Sequence, residues 1–246
     1  MQIYPAVREA VRSGRSVATI TLARIPAAST LRVGAKMLVR PDGTTLGALG
    51  AAELERVAIA AALPLLGAGI TRSVEIADAL LLIESFVPPP TLFMVGGVHI
   101  SVALAALAKV LNFRTVVIDA RSAFASDERF PHVDELVLAW PDEALEGRLD
   151  PRSSVAVLTH DPKLDDPALR VALRSPARYI GALGSPSTHA KRLERLRDEG
   201  FSDADLARIH GPIGLKIGAK TPEEIALSIL SEVIQVQRAQ DRNSER

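Results

Sequence analysis

The sequence predicts an α/β protein: a C-terminal Rossmann-like domain on a doubly wound parallel sheet, preceded by a smaller N-terminal α+β domain. Three observations predict it. From residue 91 onward, short apolar runs alternate with segments of helical spacing. Within that region Leu92–Asp119, LFMVGGVHISVALAALAKVLNFRTVVID, reads as a buried strand, a Gly-Gly turn, an amphipathic helix and a second strand ending in an acid. Pro88-Pro89-Pro90 then marks a boundary, because three prolines make a stiff, extended connector. The expected division is 1–87, an 88–90 linker, and 91–246.

In the first part, Pro5–Arg12 has helical spacing and Ser16–Leu22 is an apolar, β-branched strand. Lys36–Arg40 and Thr44–Leu46 are expected as strands joined at the Pro41-Asp42-Gly43 turn. Ala51–Leu65 predicts a helix, with Gly50 before it and Glu53 and Glu55 in a first turn that suits the helix dipole. Ser73–Ile76 and Leu81–Ile83 complete this part as strands. Beyond the prolines, strands are expected at Leu92–Val95, Thr115–Ile118, Glu135–Leu138, Val155–Leu158 and Tyr179–Ile180. Helices are expected at Val98–Leu111, Asp142–Glu146, Asp165–Leu173, Ser187–Glu199 and Pro222–Gln237, and the polar tail Arg238–Arg246 is expected to fray.

Composition removes several functions. The 246 residues carry 29 basic and 29 acidic side chains, so net charge gives no reason to expect nucleic acid or anionic lipid as partners. One Trp and two Tyr offer no stacking platform for bases. The absence of cysteine excludes disulfides, thiolate nucleophiles, cysteine-bound zinc and a persulfide relay on this chain. The start, MQIYPAVREAVRSGR, lacks an apolar leader core, and the uncharged run Ser85–Ala108 is broken by Pro88-Pro89-Pro90 and Gly96-Gly97. No membrane segment is expected, and the expected location is cytoplasmic. His99, His132, His160, His189 and His210 all follow Pro90, but no HxH or HExxH spacing occurs, so no metal site is predicted.

Four loops are candidates for chemistry. In a GxGxxG register Gly96 supplies the first glycine, while Val98 and Ser101 fall where the second and third would stand. There Gly96, Gly97 and the following helix start would hold a phosphate, and Asp119 would reach a ribose hydroxyl. Thr159-His160-Asp161, after the apolar VAVL, could orient a ligand or relay a proton with Asp161 fixing the imidazole; equally, Asp161 or Asp165 could cap a helix. Tyr179–Ser185 resembles a further strand and glycine turn, in which Gly181, Gly184 and Ser185 would meet an anion, with Ser187, Lys191 and Arg192 close by. A plain turn with Ser185 as N-cap is the competing reading, and without a GxSxG elbow Ser185 is no nucleophile. Finally His210–Ala219 is dense in glycine and proline, as expected of a binding surface or of a clamp closing the sheet.

Blocks GAKMLVRPDG with GALGAAELE, PPPTLFMVGGVHI through VVIDAR, VAVLTHD with YIGALGSPST, and HGPIGLKIGAKTPEEIALSI together resemble the xanthine dehydrogenase accessory factors (XdhC/CoxI-like) over nearly the whole chain. The resemblance implies a non-enzymatic maturation chaperone. Such a protein binds molybdenum cofactor (molybdopterin), protects it during sulfuration by a cysteine desulfurase, and passes it to a molybdenum hydroxylase of xanthine or CO dehydrogenase type. It implies cofactor-binding roles for Gly96, Gly97, His99, Asp119, Arg121, Thr159, His160, Asp161, Gly181, Gly184, Ser185, His210, Gly211 and Gly214, with no catalytic residue and no metal ligand. A homodimer is compatible with it. This chain is a divergent, cysteine-free member, since the family's GGGC-type element reads Gly50-Ala51-Ala52-Glu53. Lys216 stands where an acid is usual, and Val98 replaces the turn's last glycine. The alternatives are an NAD(P)-binding oxidoreductase using Asp119, or a paralogue that has lost its ligand.

Overall fold

A computed structural model describes residues 3–27, 29–67, 69–124 and 126–244, with side chains up to residue 239. The chain divides into two compact units, Met1–Pro88 and Pro89–Arg246. In the first, helix α1 (Ile3–Arg12) precedes strands β1 (Val17–Arg24), β2 (Lys36–Val39) and β3 (Thr45–Gly47). Helix α2 (Ala52–Ala62) continues into a 3-10 turn at Leu63–Leu65, then β4 (Thr71–Ile76) and β5 (Ala79–Phe86) follow. These strands form one antiparallel sheet in the order β3-β2-β1-β5-β4. The period-two alternation of strands sends Ile20, Leu22, Met37, Leu81 and Ile83 to the face covered by Leu54, Ala58 and Ala62 of α2. Val17 and Leu38 point the other way, onto Ile3, Val7 and Ala10 of α1.

The second unit runs β6 (Thr91–Val95), α3 (His99–Val110), β7 (Arg114–Ile118), β8 (Glu135–Val137), α4 (Pro141–Leu145), β9 (Ser153–Val157), α5 (Pro162–Arg174), β10 (Tyr179–Ala182), α6 (Pro186–Asp198), α7 (Asp203–Leu206), β11 (Ile209–His210) and α8 (Pro222–Ser244). All six strands are parallel, in the order β11-β10-β9-β6-β7-β8. Renumbered within the unit this is 3-2-1-4-5-6, the Rossmann order, whose reversal point lies between β6 and β9. Leu92 and Met94 meet α3 and α8 on one face, while Phe93 and Val95 meet α4, α5 and α6 on the other. Each face is therefore apolar, and the strands read as continuous hydrophobic runs.

Local chemistry sets the helix ends around the sheet's carboxyl edge. Asp161 and Ser185 accept hydrogen bonds from Lys163 N and Thr188 N, and Pro162 and Pro186 occupy the first helical position. Helix α3 stops where Asn112 adopts φ +60° and the amides of Asn112 and Phe113 reach back to Lys109 O and Ala108 O, a Schellman closure.

Several expectations need correction. The loop expected from His210 begins in a strand, because Ile209 and His210 pair with Ile180 and Gly181 of β10. Helix α7 was not expected; a capping box between Ser202 and Asp205 starts it. Residues 238–244 continue α8 and do not fray, while 245 and 246 lie outside the described residues.

Leu104→Ala, at a fully buried α3 position in the layer with α8, should destabilise the C-terminal unit by about 2–5 kcal/mol. Val110→Ala on the same helix, at a site 82% exposed, should stay within about 0.5 kcal/mol of the parent. Urea unfolding of both variants checks the layer assignment.

Candidate functional site

Open parallel sheets bind ligands beyond the carboxyl ends of their strands at the reversal point. Here that edge is formed by the residues after Val95, Ile118, Val157, Ala182 and His210. Gly96 and Thr159 face each other across the reversal point: a side chain at Gly96 would lie 2.6 Å from Thr159 Cγ2. Gly96 also needs φ +109°, which L side chains rarely adopt. Ser101, in the third motif position, is buried and donates its hydroxyl hydrogen to Gly96 O.

Both glycine amides of the turn are already spoken for within the chain. Gly96 N donates to Ile118 O at 2.8 Å, and Gly97 N donates to Asp119 Oδ2 at 2.8 Å. Asp119 is 1% exposed and accepts three more bonds: Arg121 N and Nε on Oδ1, and Arg121 Nη2 on Oδ2. Burial alone would raise its pKa, but the Arg121 guanidinium and the Gly97 and Arg121 amides outweigh burial and hold the carboxyl below the usual range. Asp119 is therefore turned inward as a brace, which corrects the expectation that its carboxylate faces a ribose hydroxyl. Above Gly97 the chain doubles back so closely that a side chain there would strike the Phe124 carbonyl. Arg121 stacks over the Phe124 ring at 4.2 Å. His99, the first residue of α3, is exposed.

Beyond the reversal point the network changes partners. Thr159 donates its hydroxyl hydrogen to Asp165 Oδ1, and Asp165 Oδ2 receives Arg192 Nη2 at 3.2 Å. Arg192 Nη2 also reaches Leu183 O at 2.9 Å, tying the turn after β9 to the turn after β10. Burial pushes the Asp165 carboxyl up, against the pull of Thr159 and Arg192. Arg192 is only 1% exposed, yet its Nε and Nη1 have no partner. Asp161 is used as the cap of α5, so the expected Asp161–imidazole contact is absent and the exposed His160 ring is left to solvent. Ser185 likewise caps α6, sharing its oxygen with the Ser187 and Thr188 hydroxyls at 2.8 and 2.9 Å. His160, Asp165, Ser187, Thr188, Lys191 and Arg192 line a cavity of about 220 Å³.

The third cluster closes the far end. His210 stacks on Tyr179 at 4.8 Å, and Glu232 of α8 accepts from Tyr179 Oη at 2.6 Å and Gly214 N at 2.9 Å, with His210 Nδ1 at 3.4 Å. A side chain at Gly181 would lie 2.5 Å from Tyr179 Oη, and one at Gly211 would enter the His189 ring. Glu232 was not anticipated; it flanks the buried stripe of α8 (Ala226, Ile229, Leu230, Val233), so helical spacing gave the only signal. Among the described residues no group of acidic, His or Cys side chains could hold a metal ion. None of the described helices is long and apolar enough to cross a membrane.

This arrangement is matched by known sequences. The XdhC Rossmann domain family matches residues 92–233, and the XdhC and CoxI family matches residues 10–77. The chain belongs to the XdhC Rossmann domain family. An uncharacterized Escherichia coli protein, YqeB, is 33% identical over 85% of this chain and 41% of its own length. A probable xanthine dehydrogenase subunit of Bacillus subtilis is 34% identical over 63% of this chain and 46% of its own. The chain thus spans less than half the length of these two relatives. The Escherichia coli molybdenum cofactor insertion chaperone PaoD is 26% identical, covering 96% of this chain and 88% of PaoD. In fold, a crystal structure described as a xanthine dehydrogenase from Bacillus halodurans aligns with a TM-score of 0.58 at 20% identity, over 97% of this chain and 95% of that one.

Asp119→Asn removes Arg121's counter-ion at this XdhC turn and should destabilise the C-terminal unit by about 1–3 kcal/mol. Because the folded-state pKa is lowered, the carboxylate's contribution is complete above the unfolded value of about 3.9 and fades as pH falls through the folded value. Urea midpoints of parent and variant should differ at pH 7 and converge in acid; an equal gap at both pH values would contradict the brace.

Proposed function

We propose that this chain is an accessory protein for the maturation of a molybdenum hydroxylase of xanthine or CO dehydrogenase type. In this reading it binds molybdenum cofactor non-covalently at the carboxyl edge of the parallel sheet and hands it to the apoenzyme. The observation carrying this is the extended similarity to PaoD, a molybdenum cofactor insertion chaperone, through 96% of the chain. The edge residues fit a phosphorylated pterin in one specific respect. A buried guanidinium with two unpaired nitrogens, Arg192, calls for an anion, and pterin cofactors carry a phosphate.

Binding and exclusion of water are the work assigned to the protein; the bound pterin would supply the metal-holding group itself. Gly96, Gly97, Asp119 and Arg121 shape the near wall, with Thr159 and Asp161 across from them. Gly181, Gly184 and Ser185 form the next turn, and His210, Gly211 and Gly214 the far rim, while exposed His99 and His160 border the ligand. With no cysteine on the chain, its own side chains cannot carry sulfur as a persulfide, and a partner cysteine desulfurase would supply the cofactor's sulfur. The target hydroxylase is the second partner; a cytoplasmic location and a homodimer complete the reading.

A dinucleotide is the competing ligand, favoured by the 3-2-1-4-5-6 strand order. Against it stands the occupied Asp119 carboxylate. Gel filtration of the chain mixed with molybdopterin should show co-elution, and ligand at 100 times Kd should stabilise the fold by about 2.7 kcal/mol in thermal unfolding. Absence of retention, or stabilisation by NAD instead, would defeat the proposal.

A further inference from the structure

The first turn of a dinucleotide-binding sheet normally grips phosphate with its free amides and helix start. Here Gly96 N and Gly97 N are both consumed internally, and the Phe124 carbonyl closes over Gly97. The start of α3 has no side-chain cap at Val98, but buried side-chain donors without partners lie two strands away. Arg192 is buried to 1% exposure, and its Nε and Nη1 lack partners although Nη2 is bound by Asp165 and Leu183 O. Its Nη1 lies 3.9 Å from where a side chain on Gly184 would begin, and like Nε it is buried without a partner among the described residues.

Charge around the cavity favours an anion. Arg195 is matched by Asp166 through two bonds of 2.7 and 2.9 Å, and Arg192 by a single 3.2 Å contact with Asp165. Lys191 has no ion-pair partner among the described residues, which leaves one positive charge in excess at the start of the thirteen-residue helix α6. One of the Ser187 and Thr188 hydroxyls adds a donor: both bond Ser185 Oγ, which already accepts Thr188 N and can accept from only one of them. A volume of about 220 Å³ is below the ~300–1,000 Å³ of pockets that take whole organic ligands. It suits a phosphoryl or diphosphoryl end and not a ring system.

We infer that the cavity between the turns after β9 and β10 is the phosphoryl-docking subsite of this protein, with Arg192 at its base, Lys191 at its mouth and the Ser187 and Thr188 hydroxyls on its wall. The phosphate position has moved from the first turn of the sheet to the far side of the reversal point. This rests on the pterin reading only for what the phosphoryl group is attached to.

Isothermal titration of the full chain with inorganic phosphate, at constant ionic strength set by chloride, tests it. Saturable single-site uptake is expected, weakened roughly tenfold or more in Lys191→Gln, the loss expected for one charge-assisted contact. Val110→Ala, at an exposed α3 position, should bind as the parent does. Lys191 is exposed, so that variant should fold, and circular dichroism verifies it. Lack of saturable uptake by the parent, or uptake indifferent to Lys191→Gln, overturns the subsite. Molybdopterin retention undiminished in Lys191→Gln also overturns it while sparing the pterin reading. Phosphate uptake lost in Lys191→Gln, in a protein that retains no molybdopterin, upholds the subsite and removes the pterin.

Discussion

One buried carboxylate organises the C-terminal unit's ligand edge. Asp119 ends β7 beside the glycine turn that ends β6, and it binds the turn's Gly97 amide and its own neighbour Arg121 at once. Two consequences follow. The Gly97 amide, which would otherwise be orphaned under the Phe124 carbonyl, is satisfied without water or ligand. Arg121 is fixed with its guanidinium against Phe124, where the charges of Asp161 and Asp165 also act on it. A carboxylate stripped of solvent is costly unless fully paired, and four bonds to its two oxygens meet that condition.

Because the brace takes over the first turn, polarity elsewhere on the edge must be explained separately. Thr159, Asp165 and Arg192 form a relay joining the turns after β9 and β10, and it is satisfied at every atom except two guanidinium nitrogens. Glu232 closes the other end by collecting Tyr179, Gly214 and His210. Burial would raise Glu232, but these partners prevail and keep its carboxyl below the ordinary range; burial and Glu232 together push the Tyr179 hydroxyl up. Around Glu232 the far cluster is paired, although the nearby His189 Nδ1 is buried without a partner among the described residues. The relay is not fully paired, and incompleteness in a buried ionic group points outward to something the protein meets.

How legible all this was depended on how local the determinant is. The βαβ unit over 92–119 was readable because alternating burial, a Gly-Gly turn and helical spacing sit within one window. The Ser-Pro and Asp-Pro helix starts were readable for the same reason: cap and first-turn proline are adjacent in sequence. Helix α7 spans four residues and β11 two, too short for any period to register. Pairings of Asp165 with Arg192 across 27 positions, and of Tyr179 with Glu232 across 53, lie outside any local pattern. Asp119 is legible as an acid at a strand end, but its partners within the chain are not. Its rotamer is decided by Arg121 two residues on, which an acid at a strand end does not by itself disclose.

Glycine density illustrates the same difference between pattern and cause. Gly96, Gly97, Gly181 and Gly211 stand in the turns that suggest a phosphate cradle, yet each is also required by a protein group packed against it: Thr159, the Phe124 carbonyl, Tyr179 with Ile213, and the His189 ring. Close approach of the chain to itself explains these four without any ligand. Gly184 is different, since its nearest neighbours are the Thr188 side chain and the buried, unpaired Arg192 nitrogen, and its φ of +145° turns the chain into α6. Counting glycines therefore locates the edge but not the subsite. The discriminating observable is an unpaired donor that burial has made expensive, and on this edge Arg192 supplies it beside Gly184.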